Sequence, residues 1–265
     1  MDIRITPLGD RALIVAYPAQ VDPAINAAVN AATAAIEAAG LPGILDVVPA
    51  FCTVAIHYRP EVIAAAMAAG GDGERVGDRD DSPFDWLARR LRPLLSGTVG
   101  ARARGHVVDV PVVYGGPFGP DLAEVAERCR LTEDEVIARH VASEHCVYML
   151  GFTPGLPFIG GLDPALELPR RATPRTRVPA GTVAIAREQT VIYSCDSPGG
   201  WNLIGRTPLT LFDARFDPPC RILPGDRLRF RPMPASAWPS LVAEASGAWE
   251  TADATGEPGG GGRRS

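Results

Sequence analysis

The chain has 265 residues, 46% of them hydrophobic and 22% charged, with a formal net charge of -5. That length accommodates two modest domains, each with its own core, and the balance is that of a soluble globular protein. The acidic net charge argues against nucleic acid as a partner. All 26 basic residues are Arg, which excludes a Schiff-base lysine, a P-loop lysine and a biotinylated lysine on this chain.

Five scattered cysteines without a CxxC pair (Cys52, Cys129, Cys146, Cys195, Cys220) argue against a disulfide framework or a zinc knuckle, and fit a reducing cytoplasm. The first residues carry no apolar signal segment, and the Ala-rich run 24–39 is too short and too polar to span a bilayer.

Taken in chain order, residues 3–7 and 12–17 read as strands around a Gly9-Asp10 turn. Asp22 caps a helix that starts at Pro23 and is stopped by Gly40 and Pro42-Gly43. Strands at 44–48 and 53–58 and a short helix from Pro60 to about Met67 complete an N-terminal α/β domain, 1–68. Residues 69–105 read as a charged linker or insertion around one helix, capped by Ser82 and striped by Phe84, Leu87, Leu91 and Leu95.

From His106 the pattern changes. An apolar strand at 107–113 leads into two short helices with capping-box-like starts, Asp121-x-x-Glu124 and Thr132-x-x-Glu135. Strands are then expected at 182–186, 190–193, 209–212 and 227–230, with a Pro224-Gly225-Asp226 turn before the last. Many short strands with frequent turns predict a closed or nearly closed barrel over 106–232. The tail 233–265 is expected to be largely disordered from about residue 246.

Between Gly151 and Asp213, Gly, Pro and Arg occur at a density that packing does not require. Pro169-Arg170 and Pro174-Arg175 place two guanidiniums on a stiffened loop. They suit carboxylate or phosphoryl oxygens, or else they pair with surface carboxylates. The Ser197-Pro198-Gly199-Gly200-Trp201 segment offers backbone N–H groups for an anion nest and an indole wall; the other reading is a barrel turn whose Trp plugs the core. Arg206 either converges on the same ligand or stacks on Trp201. His140, at a helix end, is a macrodipole cation or a general acid/base. Cys195 and Ser197 have no local partner for nucleophilic catalysis, and no His spacing marks a metal site.

The segments Pro111-Val112-Val113-Tyr114-Gly115-Gly116, Phe118-Gly119-Pro120-Asp121-Leu122 and Tyr148-Met149-Leu150-Gly151-Phe152-Thr153-Pro154-Gly155 are similar to those of one known family. The two Pro-Arg pairs, the 197–201 loop, Ile204-Gly205-Arg206-Thr207-Pro208 and Pro224-Gly225-Asp226 extend the match in order. The chain thus resembles the family of 5-oxoprolinase B subunits, also called the kinase-A inhibitor or allophanate hydrolase subunit 1 family. The resemblance implies an α+β architecture, a small N-terminal α/β domain followed by a cyclophilin-like β-barrel.

It also implies an ATP-dependent 5-oxoprolinase complex with homologues of the C and A subunits of that enzyme, the chain alone being inactive. On that reading Arg170, Arg175, Arg206 and His140 are the catalytic set, and Gly151, Phe152, Pro154, Gly155, Pro198, Gly199, Gly200 and Trp201 bind a small-molecule substrate. Alternative roles are the carboxyltransferase half of a urea-carboxylase-like, biotin-dependent system, or a kinase-inhibitory binding protein. The chain departs from the family pattern at Leu156-Pro157-Phe158, at His145 in place of a frequent Tyr, and at Ser194 in place of a common Pro.

Overall fold

The computed structural model describes residues 2–19, 22–69, 82–97 and 105–253, with side chains described to residue 245. The charged run 70–81 and the irregular run 98–104 lie outside the described residues.

The N-terminal unit is built from β1 (Arg4–Pro7), β2 (Ala12–Ala16), α1 (Pro23–Ala39), β3 (Ile44–Pro49), β4 (Thr53–Tyr58), α2 (Pro60–Ala68) and α3 (Pro83–Ser96). The strands form an antiparallel sheet in the order β1-β2-β4-β3. Period-2 alternation sends Leu13, Val15, Val54 and Ile56 to the face covered by Val29, Ala32 and Ile36 of α1. Asp22 accepts from the backbone N of Ala24 at 2.6 Å, with Pro23 opening the helix and Gly40 (φ +54°) ending it. The α3 stripe Leu87, Leu91, Leu95 is fully buried in this same core, so the helix inside the 69–105 segment is packed into the N-terminal unit, against α1 and α2.

The second unit contains β5 (Val107–Tyr114), α4 (Leu122–Cys129), α5 (Glu133–Ala142), β6 (His145–Leu150), β7 (Pro157–Gly160), β8 (Arg175–Val178), β9 (Thr182–Ala186), β10 (Gln189–Ile192), β11 (Ser197–Gly199), β12 (Asn202–Arg206) and β13 (Arg227–Pro232). Seven of these strands close a barrel in the order β10-β7-β6-β13-β5-β12-β9, while β8 and β11 pair with each other outside it. The α+β architecture with a closed barrel is therefore present.

Inward residues Val110, Val112, Val147, Ile159, Val183, Ile185, Ile204 and Phe230 fill the barrel, joined by Leu122 and Val125 of α4 and Val136 of α5. A second core lies outside the barrel wall, where Ala184, Ala186, Val191, Tyr193 and Leu203 pack with Val178 and Trp201. Asn26 of α1, buried in the first domain, stitches the two units together. Its Nδ2 donates to the carbonyl oxygen of Tyr148 on β6 at 3.0 Å. Phe51 adds edge contacts to Tyr148 and Phe158, each at 5.9 Å between ring centroids.

Three expectations fail here. The run 209–212 contributes only a Phe212–Cys220 bridge, because Leu211 is buried as a plug of the barrel core and not as a ladder strand. The start of α4 is not a side-chain cap: Asp121 makes no capping bond, whereas Thr132 and Glu135 form the full reciprocal box at α5. Residues 246–253 are helical, since α6 runs Trp238–Asp253, and the rest of the tail lies outside the described residues.

Candidate functional site

The Gly151–Gly155 loop joins β6 to β7 at the barrel mouth and lines an open cavity of about 380 Å³ with Leu150 and Cys220. The structure thus brings Gly151, Phe152, Pro154 and Gly155 to one place, as the sequence grouped them. Thr153 fastens the loop through a hydroxyl–hydroxyl bond of 3.0 Å to Ser194. The Ser in place of a common Pro therefore supplies a tether that Pro has no group to make.

The two Pro-Arg pairs have different fates. Arg175 donates to Asp121 Oδ1 at 2.7 Å and Oδ2 at 3.0 Å, a two-pronged grip on a buried carboxylate. Its fork is occupied, so Arg175 anchors β8 and does not present a charge to a ligand. Arg171, which the sequence reading passed over, joins the same carboxylate at 3.1 Å and reaches Glu124 at 2.7 Å. Asp121 also accepts from the backbone N of Leu203 at 2.7 Å. Arg170 has no carboxylate partner among the described residues. Its guanidinium lies 5.2 Å from the centroid of the Trp201 ring and lowers the Tyr193 phenol electrostatically, against a larger upward push from burial.

Trp201 is 7% exposed and packs within the outer core, 6.3 Å from Phe158, so its ring is a core element and not an open wall. Gly199 pairs in strand with Arg175, and neither Gly199 nor Gly200 has positive φ. The alternating backbone that makes an anion nest is absent from this step, and Pro198 is simply exposed beside it. Arg206 does not stack on Trp201. Its Nε donates to the carbonyl of Ala180 at 2.9 Å, and its guanidinium lies 5.5 Å from the Trp238 ring of α6.

His140 is fully buried within the barrel and belongs to neither of its expected roles. Its Nδ1 bonds the Tyr114 hydroxyl at 2.9 Å and its Nε2 the Thr190 hydroxyl at 3.3 Å. Burial, helped by the neighbouring His145, holds it well below the ordinary imidazole range, so it is neutral. His145 donates from Nε2 to the His140 carbonyl at 2.7 Å, and burial depresses it to about 4. The two rings lie 4.8 Å apart between centroids, tilted at 46°, beside Phe230 and away from solvent. The helical spacing that brought His140 to the helix end gave no signal that this end faces inward.

Among the described residues no cluster of three His, Cys, Asp or Glu side chains could hold a metal, and no helix is long and apolar enough to cross a membrane. Arg170 and Arg206 are the guanidiniums of the expected set that keep donors without a carboxylate partner among the described residues. They sit in different neighbourhoods, one on Trp201 and one on Trp238.

This arrangement of barrel and α/β unit has known counterparts. The chain is 38% identical over 228 residues to the 5-oxoprolinase B subunit of Bacillus subtilis (strain 168), a match covering 86% of this chain and 91% of that protein. The solved structure of TTHA0988 matches with a TM-score of 0.68 and 37% identity over 84% of this chain, which spans only 40% of that longer chain. The Kluyveromyces lactis urea carboxylase shares the fold at a TM-score of 0.64 and 18% identity, over 92% of this chain and 23% of its own. Residues 3–222 match the family model described as carboxyltransferase domain, subdomain C and D, and span the N-terminal sheet and the barrel through β12, so the chain belongs to that family.

Proposed function

We propose that this chain is one subunit of an ATP-dependent 5-oxoprolinase that opens 5-oxo-L-proline to L-glutamate, acting in the cytoplasm with homologues of the C and A subunits of that enzyme. The observation that carries the reading is the similarity to a protein named as the B subunit of 5-oxoprolinase, over 91% of that protein's length. The shared fold of the urea carboxylase is too distant in sequence to move the reading toward carboxyl transfer.

The lactam amide is stabilised by resonance, and ATP supplies the phosphoryl group that makes its oxygen a leaving group. The residues of this chain that fit phosphoryl or carboxylate oxygens are Arg170 and Arg206, whose forks hold donors without a carboxylate partner among the described residues. Their contribution is positional and electrostatic: a fixed cation stabilises charge that grows on an oxygen in the transition state. Arg170 is held for this by the indole beneath it and by the Asp121 grip on its neighbours Arg171 and Arg175. The imidazoles of His140 and His145 are sealed in the barrel and take no part. The cavity at Gly151–Gly155 offers a small apolar floor for the pyrrolidine ring. A complete site then needs groups from the other subunits.

Reconstitution tests the reading. The purified chain, combined with its C and A subunit homologues, should form glutamate from 5-oxoproline only when ATP is present, and no one component should do so alone. Urea-dependent carboxyl transfer from carboxybiotin without 5-oxoproline turnover would replace this reading with the carboxyltransferase one.

A further inference from the structure

Among the described residues, three other than glycine have positive φ: Arg130, Phe152 and Arg187. Two of them are accounted for within the fold. Arg130 closes α4 as a left-handed cap, and Arg187 turns the β9–β10 hairpin while its N donates to Leu168 at 2.6 Å. Phe152 has no such account. The N of Thr153 bonds the carbonyl of Gly151 at 2.8 Å, which makes Phe152 (φ +67°) the centre of a γ-turn of the rarer, strained hand.

A bulky residue in that region carries strain that persists only where its surroundings over-determine it. The surroundings do so here. The Gly151 N donates to Leu156 at 3.1 Å, the Leu156 N to Thr153 at 3.2 Å, and the Thr153 hydroxyl meets Ser194. What this rigid frame holds out is Phe152, a residue 68% exposed whose ring stacks on no aromatic side chain among the described residues. It stands at the rim of the open cavity. Glycine would adopt the turn without strain, so the backbone does not explain the aromatic.

We propose that Phe152 is a preformed aromatic anchor on the face that receives a second folded polypeptide, which offers an apolar pocket to the ring and roofs the cavity. The inference rests on the subunit reading above and assigns its docking face. A partner chain is favoured over a small ligand because Phe152 stays 68% exposed although it lines the open cavity, which leaves apolar surface to be covered. The matched unit occupies only 40% of the TTHA0988 chain, so in that protein it is part of a longer polypeptide. An aromatic fixed in place before binding loses little conformational freedom on docking, the property of an interface hot spot.

The probe is the purified C subunit homologue, titrated calorimetrically into the intact chain and into its Phe152→Ser, Phe152→Gly and Leu8→Ser variants. Leu8 is a second exposed hydrophobic, on the N-terminal unit. Both Phe152 variants should bind at least ~30-fold more weakly, about 2 kcal/mol, with Leu8→Ser unchanged and the thermal midpoint of Phe152→Gly not lowered. Affinities within ~3-fold of the unsubstituted chain overturn the anchor while leaving the subunit reading intact. Loss of turnover with unchanged affinity for the probe overturns it in favour of a substrate contact. Self-association of the isolated chain that Phe152→Ser abolishes overturns it in favour of a second copy. No binding by the unsubstituted chain sinks the anchor and the subunit reading together.

Discussion

Asp121 is the residue whose loss this structure prices most clearly. Its side chain is 4% exposed and accepts from Arg171, from both terminal nitrogens of Arg175 and from the Leu203 backbone. Asp121→Ala leaves Arg175, 30% exposed, without a carboxylate partner and Arg171, 28% exposed, with Glu124 alone. Breaking a fully buried ion pair costs about 3–5 kcal/mol, and an orphaned buried N–H about 1–3 kcal/mol. Partial solvent access of both arginines and the remaining Arg171–Glu124 contact of 2.7 Å reduce the first figure. The expected loss is about 3–4 kcal/mol, a large part of a typical domain stability of about 5–15 kcal/mol. Urea unfolding followed by tryptophan fluorescence reads it, with Glu124→Ala as control, since that carboxylate is 45% exposed and its loss should cost under about 1 kcal/mol. Asp121→Asn should fall between, because its amide oxygen still serves Leu203 while its NH₂ confronts guanidinium donors. If Asp121→Ala costs no more than Glu124→Ala, the reasoning fails.

Arg170→Ala should lower activity of the assembled complex at least ~30-fold, about 2 kcal/mol of transition-state stabilisation, without dissociating it; a near-normal rate returns Arg170 to the surface. Gly199→Ala places its Cβ on the Tyr193 hydroxyl and should destabilise by about 1–3 kcal/mol, whereas Gly200→Ala meets only ordinary contacts at 3.6–3.7 Å and should lie within about 0.5 kcal/mol of the parent. The reverse order in unfolding midpoints would contradict the placement of this loop. His140 and His145 are depressed in the folded state, so their neutral forms favour folding fully above the unfolded value near 6.5, and that stability is lost as pH falls toward about 4 for His145. Between pH 7 and pH 5 the His145 share is about 2 kcal/mol. His145→Gln should flatten the slope of stability against pH, and an unchanged slope would mean that His145 is not the group responsible.

What was legible in the sequence was local. Thr132-x-x-Glu135 is a capping box because both partners lie within one turn. Asp121-x-x-Glu124 carries the same signature and is not one, because Arg171 and Arg175, some fifty residues on, outcompete the backbone for its carboxylate. Asn26 reads as a polar break in an Ala-rich helix, yet it is 1% exposed and joins the two units through Tyr148. Leu209 to Phe212 has strand composition but plugs the core. The sequence predicts a tail that loses order from about residue 246, and α6 runs on to Asp253. For Asp121, Asn26 and Leu211 the deciding partners are remote in the chain, where periodicity and spacing carry no signal.

The Gly, Pro and Arg density between Gly151 and Asp213 acquires a different meaning from these contacts. Much of it serves the crossing of loops over a small barrel. Gly181 (φ +79°) lets its backbone pass against the Thr207 carbonyl, and Gly199 leaves room for the Tyr193 hydroxyl. The Arg171 backbone N bonds Gly200 at 2.7 Å, Thr153 bonds Ser194, and Asp121 clasps Arg175. These ties lock the 151–155, 169–175 and 193–201 loops to one another and to α4. The charge of Arg175 is consumed in that bracing; Arg170 stays outside it, on Trp201. A binding cation works best when its own position costs nothing to fix at the moment of binding. Packing and function are therefore not rival readings of this stretch: the glycines and the occupied arginine build the frame, and the frame holds Arg170 and the Phe152 ring.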